Sequence, residues 1–440
     1  MSDKLTLDVA ATDGRYHRQS LITWWDQSLL RDARVLVVGA GALGNELVKN
    51  LVLMGVGTVL VADLDVIEDS NLSRCVLFRP RDEGRSKAEV VVEAARDLNE
   101  EVELFALHGD VRSTIGLSVF RDVDVVLGGL DNREARLFVN QACWKVGTPW
   151  VDGAIEGLQG VARAFVPNQG PDEGPCYECT MGERDHQIVA ARRSCSLLSR
   201  DEMEAGKVPT TATTAAIVAG IQVQEAIKLL HERGPMGLIG RGYAYNGVTH
   251  DSYVVTYARQ EECMAHDHYE AEHSRDVPLD ATFLQLLTLG RELLGTDDVT
   301  LQTETELAVS GRCESCETDR PINRPLHELK APDAVCAVCG EELGLRLVHT
   351  IRPEHDEFLG LRPAEIGVAP ADVVTARHGL ERRHLVLGGA LSLTERLTAA
   401  TADGGAASAA DGADPGPTGA TLVPDAPGPQ AAANPAEDVS

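Results

Sequence analysis

The chain has 440 residues, 43% hydrophobic and 25% charged, the balance of a globular protein too long for one hydrophobic core. Its formal net charge of -28 argues against nonspecific binding to nucleic acid or anionic lipid, whose phosphates attract basic surfaces. No apolar run reaches the roughly 18 residues of a membrane span, and the N-terminus lacks the basic and apolar regions of a secretory signal, so a cytoplasmic protein is expected.

In chain order, residues 1–14 read as a flexible arm. Strand-like and amphipathic runs then alternate: VLVVGAG at 35–41, NELVKNLVLMG at 45–55, TVLVAD at 58–63 and KAEVVVEAARDLN at 87–99. The alternation continues through VELFAL at 102–107, DVVLGGLD at 124–131, REARLFVNQACWKVG at 133–147 and PWVDG at 149–153. Such repetition predicts an α/β, Rossmann-like fold with a mixed, mostly parallel sheet. VARAFVP, GYAYNGV and DSYVVTYAR add strands, and residues 213–234 form a long helix with a small-residue face, closing a first domain at about 270. A small second domain, 275–390, carries a helix at 281–294, the strand-like VTLQTETELAVSG and its own CxxC pairs. Residues 396–440, rich in Ala, Gly, Pro and Asp, have almost no large apolar side chains to bury and are expected to be disordered.

Gly39, Gly41 and Gly44 form G-x-G-x-x-G between a Val-rich strand and a helix, where glycines let backbone approach phosphates on the helix N-terminus. Asp63, at the end of the next strand, is the expected acceptor for ribose hydroxyls. These two features alone suit a dinucleotide dehydrogenase. Hydride transfer, however, has no need of the further polar residues at strand ends: Arg18, Asn71, Arg74, Lys87 and Asp131. Joining a carboxylate to ATP does need them, because like charges about 4 Å apart cost on the order of 4 kcal/mol at an effective dielectric near 20. Guanidinium and ammonium groups, with Mg²⁺ held by an aspartate, offset that repulsion. The chain has no G-x-x-x-x-G-K-[ST] loop, which disfavours a P-loop ATPase.

The 10 cysteines fall mostly into CxxC pairs, which in a reducing compartment read as metal ligands. Cys313, Cys316, Cys336 and Cys339 match the spacing of a zinc ribbon, a closed four-thiolate site that holds a small domain together. Cys195 lies in the polar segment ARRSCSLLSRDE, where Arg192 and Arg193 favour the nucleophilic thiolate. Cys143, inside an apolar helix, is expected in the core, and Cys75 is a weaker second choice for a nucleophile.

RYHRQ at 15–19, VLVVGAGALG, ADLDVIEDSNLSR at 62–74, the lysine of GRSKAE, LDNREAR at 130–136, VDGAIEGLQG and the late QVQEAIKLL stand in an order that resembles the ThiF/MoeB/ubiquitin-activating family, over about residues 15–270. The resemblance implies an adenylyltransferase that uses ATP and Mg²⁺ to activate the C-terminal carboxylate of a ubiquitin-like or sulfur-carrier protein ending in Gly-Gly. It implies that Asp63 binds ribose, that Asn71, Arg74 and Lys87 contact the phosphates, and that Asp131 binds Mg²⁺. Arg18 would reach across a homodimer interface into the partner's site. Cys75 stands where the family pattern carries Gln, which puts the finer arrangement of the phosphate site in question. The family's structural zinc site maps onto Cys176 and Cys179 with ECMAHDH, where Cys263 and His266 complete a Cys₃His set and His268 is an alternative fourth ligand. Cys195 would accept the activated carrier as a thioester. Two other outcomes stay open: the same chemistry on a peptide or tRNA-linked carboxylate, and an inactive nucleotide-binding scaffold. The resemblance does not extend to the second domain, for which docking of the carrier or a downstream conjugating protein is an expectation without particular residues behind it.

Overall fold

The computed structural model describes residues 14–167, 174–185, 187, 209–233 and 237–397. These belong to one compact unit, Met1–Thr401; a second, Ala402–Ser440, lies outside the described residues, as do most of the expected arm and tail.

Two short helices, α1 (His17–Ser20) and α2 (Gln27–Asp32), lead into strand β1 (Arg34–Val38). Then come α3 (Ala42–Met54), β2 (Thr58–Asp63), α4 (Lys87–Arg96), β3 (Glu103–His108), α5 (Val111–Thr114), α6 (Leu117–Arg121), β4 (Val125–Gly128), α7 (Arg133–Val146) and β5 (Trp150–Glu156). Strands β6 (Gln159–Phe165), β7 (Arg241–Asn246) and β8 (Asp251–Thr256) follow, with α8 (Ala212–Leu230) between β6 and β7. The eight strands form one sheet in the order β3-β2-β1-β4-β5-β6-β7-β8. The first five are parallel and the remainder pair antiparallel. Chain direction across the sheet reverses between β1 and β4, and in such sheets ligands bind outside the carboxyl ends of the strands at that point.

Both faces of the parallel strands are covered, which explains their continuous apolar runs. Alternation decides the face: Val35, Val37, Val59 and Val61 pack beneath α3, α4 and α8, while Leu36, Val38, Leu60 and Ala62 pack with α6 and α7. The small-residue face of α8 (Ala215, Ala219, Ala226) is buried in the first of these layers.

A second sheet, ordered β11-β10-β13-β14-β9, comprises β9 (Ser274–Val277), β10 (Thr300–Cys313), β11 (Thr318–Pro325), β13 (Val373–His378) and β14 (Glu381–Leu387), with β12 (Gly344–Ile351) also paired to β10. Helix α9 (Phe283–Leu294), opened by a Thr282–Gln285 capping box, buries Phe283, Leu286 and Leu287 against it. This Cys-rich region shares a core with the larger sheet: Ala371, Val373, Val386, Leu393 and Leu397 join the α6–α7 layer. The sequence reading placed Arg396 and Leu397 in the tail, yet they are only 1% and 3% exposed. Leu397 fills that shared core, and Arg396 pairs with Asp122 ahead of β4. No described helix is long and apolar enough to cross a membrane.

Candidate functional site

The glycine-rich turn is built by close backbone approach. Gly39 adopts φ +97°, and a Cβ there would sit 2.5 Å from the Gly129 carbonyl oxygen; one on Gly44 would sit 1.9 Å from that of Gly39. A Cβ on Gly41, by contrast, would meet nothing within 4 Å, so this glycine faces open space at the N-terminus of α3. That arrangement leaves α3 backbone donors available to an anion. Asn45, fully buried, braces the turn: its Nδ2 donates to the carbonyls of Ala40 (2.7 Å) and Gly41 (3.1 Å), while its Oδ1 accepts from Leu77 N–H at 2.9 Å.

Asp63 ends β2 beside this turn, with Oδ2 accepting from Ala40 N–H at 2.6 Å and Oδ1 from Asp65 N–H at 2.8 Å. Burial raises its pKa, and nearby Lys87 works against that rise. The Lys87 ammonium donates to Asp65 Oδ2 at 2.7 Å. Burial opposes its charge, but Asp63, Asp65 and Asp131 together hold its pKa above the ordinary value. The structure thus brings Gly39, Gly41, Gly44, Asp63, Lys87 and Asp131 to the same strand ends.

Asn71 and Arg74 lie on the 3₁₀ turn Asp69–Ser73 and just after it. In this structure both side chains serve the turn: Asn71 Oδ1 accepts from Glu68 N–H at 3.0 Å, and Arg74 Nη1 donates to the Ser70 carbonyl at 2.5 Å. Arg74 nevertheless contributes to the field at Cys75, as do Lys87 and Asp63, so the turn borders the same site. Cys75 is only 4% exposed and burial pushes its thiol up to about 11, which removes it as a nucleophile near neutral pH. Cys143 is fully buried in the core, as its helix predicts.

Asp131 follows β4 and is exposed. Its loop is fixed on both sides: Asn132 caps α7 by accepting from Ala135 N–H at 2.7 Å, and the Arg136 guanidinium donates to the Leu130 carbonyl. Arg136 also donates to fully buried Asp152 at 2.9 Å, and Asp152 pairs in turn with Arg163. Gln222 of α8 reaches the same strand ends, its Nε2 donating to the carbonyls of Gly128 (2.8 Å) and Val151 (3.1 Å). Asn45, Arg136, Asp152 and Gln222 sit unmarked inside the sequence motifs; a polar residue in an apolar strand or helix, bound to be hydrogen-bonded once buried, is the signal that points to them.

Arg18 is exposed and makes no hydrogen bond or ion pair among the described residues. Its neighbour Tyr16 lies against Gly55, at the far end of α3 from the glycine turn, and is bonded by Asn99 Nδ2 at 2.8 Å. A helix of 13 residues is about 20 Å long. Arg18 thus lies toward the end of α3 opposite its own chain's glycine turn.

Cys176, Cys179, Cys263 and His266 bring one ligand atom each within 4.8 Å of one another, and so do Cys313, Cys316, Cys336 and Cys339. In the first group the sulfur separations are 3.7 Å (Cys176–Cys179) and 3.6 Å (Cys176–Cys263), and Cys179 Sγ lies 3.3 Å from His266 Nε2. In the second, Cys313 and Cys339 sulfurs are 3.5 Å apart. A tetrahedron with roughly 2.3 Å zinc–sulfur bonds has edges of about 3.8 Å, so both donor sets fit a zinc-sized ion. His266, and not His268, belongs to the first set. Cys195, with Arg192 and Arg193, lies outside the described residues.

The pattern of the ThiF family matches residues 15–265, which excludes the four-cysteine region. The SAMP-activating enzyme E1 of Haloferax volcanii is 34% identical over 268 residues, 59% of this chain and 90% of that protein. The sulfur carrier protein adenylyltransferase of Thermus thermophilus is 33% identical over 253 residues, 57% of this chain and 89% of that protein. The SUMO-activating enzyme subunit 2 of Dictyostelium discoideum is 41% identical over 151 residues, 34% of this chain but only 22% of that larger protein.

Proposed function

The chain belongs to the ThiF family, and from that premise we propose that it uses ATP to adenylate the C-terminal carboxylate of a ubiquitin-like or sulfur-carrier protein. The observation that carries this reading is the convergence of an open glycine turn, a ribose-type carboxylate, a half-buried ammonium group and an exposed aspartate at one set of strand ends.

In this reading the α3 N-terminus and the Gly39–Gly44 turn receive the phosphates, and Asp63 accepts from the ribose hydroxyls. Lys87 and Arg74 spread the negative charge that builds when the carrier's carboxylate oxygen attacks the α-phosphorus. Asn71, whose Oδ1 is taken by the turn, offers its Nδ2 to a phosphate oxygen. The new P–O bond forms as the bond to the β-phosphate oxygen breaks, giving an acyl-adenylate and pyrophosphate. Mg²⁺, when bound, would be held by Asp131 and would neutralise phosphate charge. The thiolate of Cys195 then attacks the acyl carbon, releasing AMP and forming a thioester.

The remote position of Arg18 supports a homodimer in which it completes the partner's site. Both metal sets would hold zinc as a structural ion, and their thiolates suit a reducing, cytoplasmic setting. A downstream conjugating protein would be the consumer of the activated carrier.

The deciding experiment is ATP–pyrophosphate exchange by the full chain with Gly-Gly-ended carriers. Carrier-dependent exchange is expected. Exchange with no such carrier despite tight ATP binding would move the activity to another carboxylate, and failure to bind ATP would remove the enzyme reading. A carrier adduct that is cleaved by DTT is expected on the wild-type chain, and Cys195→Ala should abolish it while leaving exchange within about twofold. An adduct that survives in Cys195→Ala assigns the thioester elsewhere.

A further inference from the structure

Residues 110–118 run from the end of β3 to α6, directly beyond Asp63, whose carbonyl accepts from Gly109 N–H at 3.1 Å. Strand order here is β3-β2-β1. With phosphates at the turn after β1 and ribose at the end of β2, the base of a bound nucleotide extends toward the end of β3. The segment that meets it is short and internally tied: Arg112 Nε donates to Asp110 Oδ1 at 2.9 Å.

The four-cysteine region holds this segment from outside at two places. In the first, Ser113 Oγ donates to Glu328, and His327 lies within electrostatic reach of Arg112 and Asp110. In the second, Gly116 N–H donates to the Pro370 carbonyl at 3.1 Å, Leu117 N–H to Asp372 Oδ1 at 3.0 Å and Ser118 N–H to the Ala371 carbonyl at 3.3 Å. The stretch bearing His327 and Glu328 leads into the metal set: Lys330 N–H and Arg324 both donate to Asp333, three residues ahead of Cys336. Burial and the Arg112 charge lower the His327 pKa to about 4, so its ring is neutral near pH 7. Its Nε2 is closed off from solvent and unbonded, so the ring acts by packing.

We propose that the four-cysteine region forms the outer wall of the base end of the nucleotide site, with His327 and Glu328 as positioning residues that hold the 110–114 turn against Asp63. The inference rests on the ATP-binding reading above. It gives the added region a part in activation itself, since it braces from outside a turn whose inner side is seated in the α6–α7 layer through Val111.

The test uses the full chain, with ATP affinity measured by calorimetry and tripolyphosphate measured as a competitor that lacks base and ribose. His327→Ala and Glu328→Ala should each weaken ATP roughly tenfold, a size that residues acting through others can reach. Tripolyphosphate should stay within about twofold of wild type, and Glu328→Gln, which still offers an acceptor to Ser113, should restore ATP affinity. Unchanged ATP affinity in Glu328→Ala, or equal weakening of both ligands, would overturn the wall. A wild-type chain that binds tripolyphosphate but not ATP would instead remove the ATP reading, and this inference with it.

Discussion

Asp131→Ala is expected to lower carrier-dependent ATP–pyrophosphate exchange by about 10²–10³-fold, the usual cost of losing one preorganised electrostatic group at a reacting centre. Its position makes the effect chemical in origin. The side chain is exposed, while the loop that carries it is fixed by backbone and neighbouring side chains: Asn132 caps α7 and Arg136 holds the Leu130 carbonyl. Truncation should therefore leave the fold intact, and the melting temperature should move by no more than a few degrees. The lost carboxylate also withdraws support from the Lys87 ammonium, which Asp63 and Asp65 continue to hold. ATP binding should accordingly weaken less than exchange does. Asp131→Asn keeps the shape and removes the charge, so it should fall close to the alanine variant. Exchange retained within tenfold in both variants would take Asp131 out of the chemistry and leave Lys87 and Arg74 to carry the phosphate charge.

What the sequence revealed and what it hid divide along a physical line. Periodicity is local, so the Val-rich strands and their covering helices were legible from residues a few positions apart, as was the glycine turn. CxxC spacing likewise announces a ligand pair. Contacts between distant segments leave no such mark. Asn45 bracing the turn through Leu77, Gln222 reaching from α8 to Gly128, and the Arg136–Asp152–Arg163 group each need the folded topology to meet. The seating of residues 370–372 on 116–118 belongs to the same class, as does the burial of Arg396 and Leu397, which composition assigned to a tail. Asn71 shows that one residue type can serve two ends: it marks a candidate site, and its Oδ1 also holds the turn that carries it.

The largest stability effect should come from the Cys₃His set. Cys176 and Cys263 lie 87 residues apart, one after β6 and the other beyond β8, so a bound ion closes a long loop across the antiparallel half of the sheet. Binding that requires the folded arrangement contributes to folding free energy, and loss of such an ion belongs with the mutations that cost more than about 4 kcal/mol. Cys263→Ser is expected to reduce bound zinc from two equivalents to one by elemental analysis and to lower the melting temperature by about 10 °C. Cys313→Ser should release the other equivalent with a smaller melting shift, because β10 and α9 keep their own apolar core around Phe283, Leu301 and Leu307. Its expected signature lies in nucleotide affinity, through the 326–334 stretch that ends at Cys336. Two zinc equivalents retained in Cys263→Ser would mean that the clustered sulfurs are a packed thiol group, and the fold on that side would then rest on the apolar layer that Cys176 and Cys179 share with Trp144, Phe165, Tyr177 and Ala265.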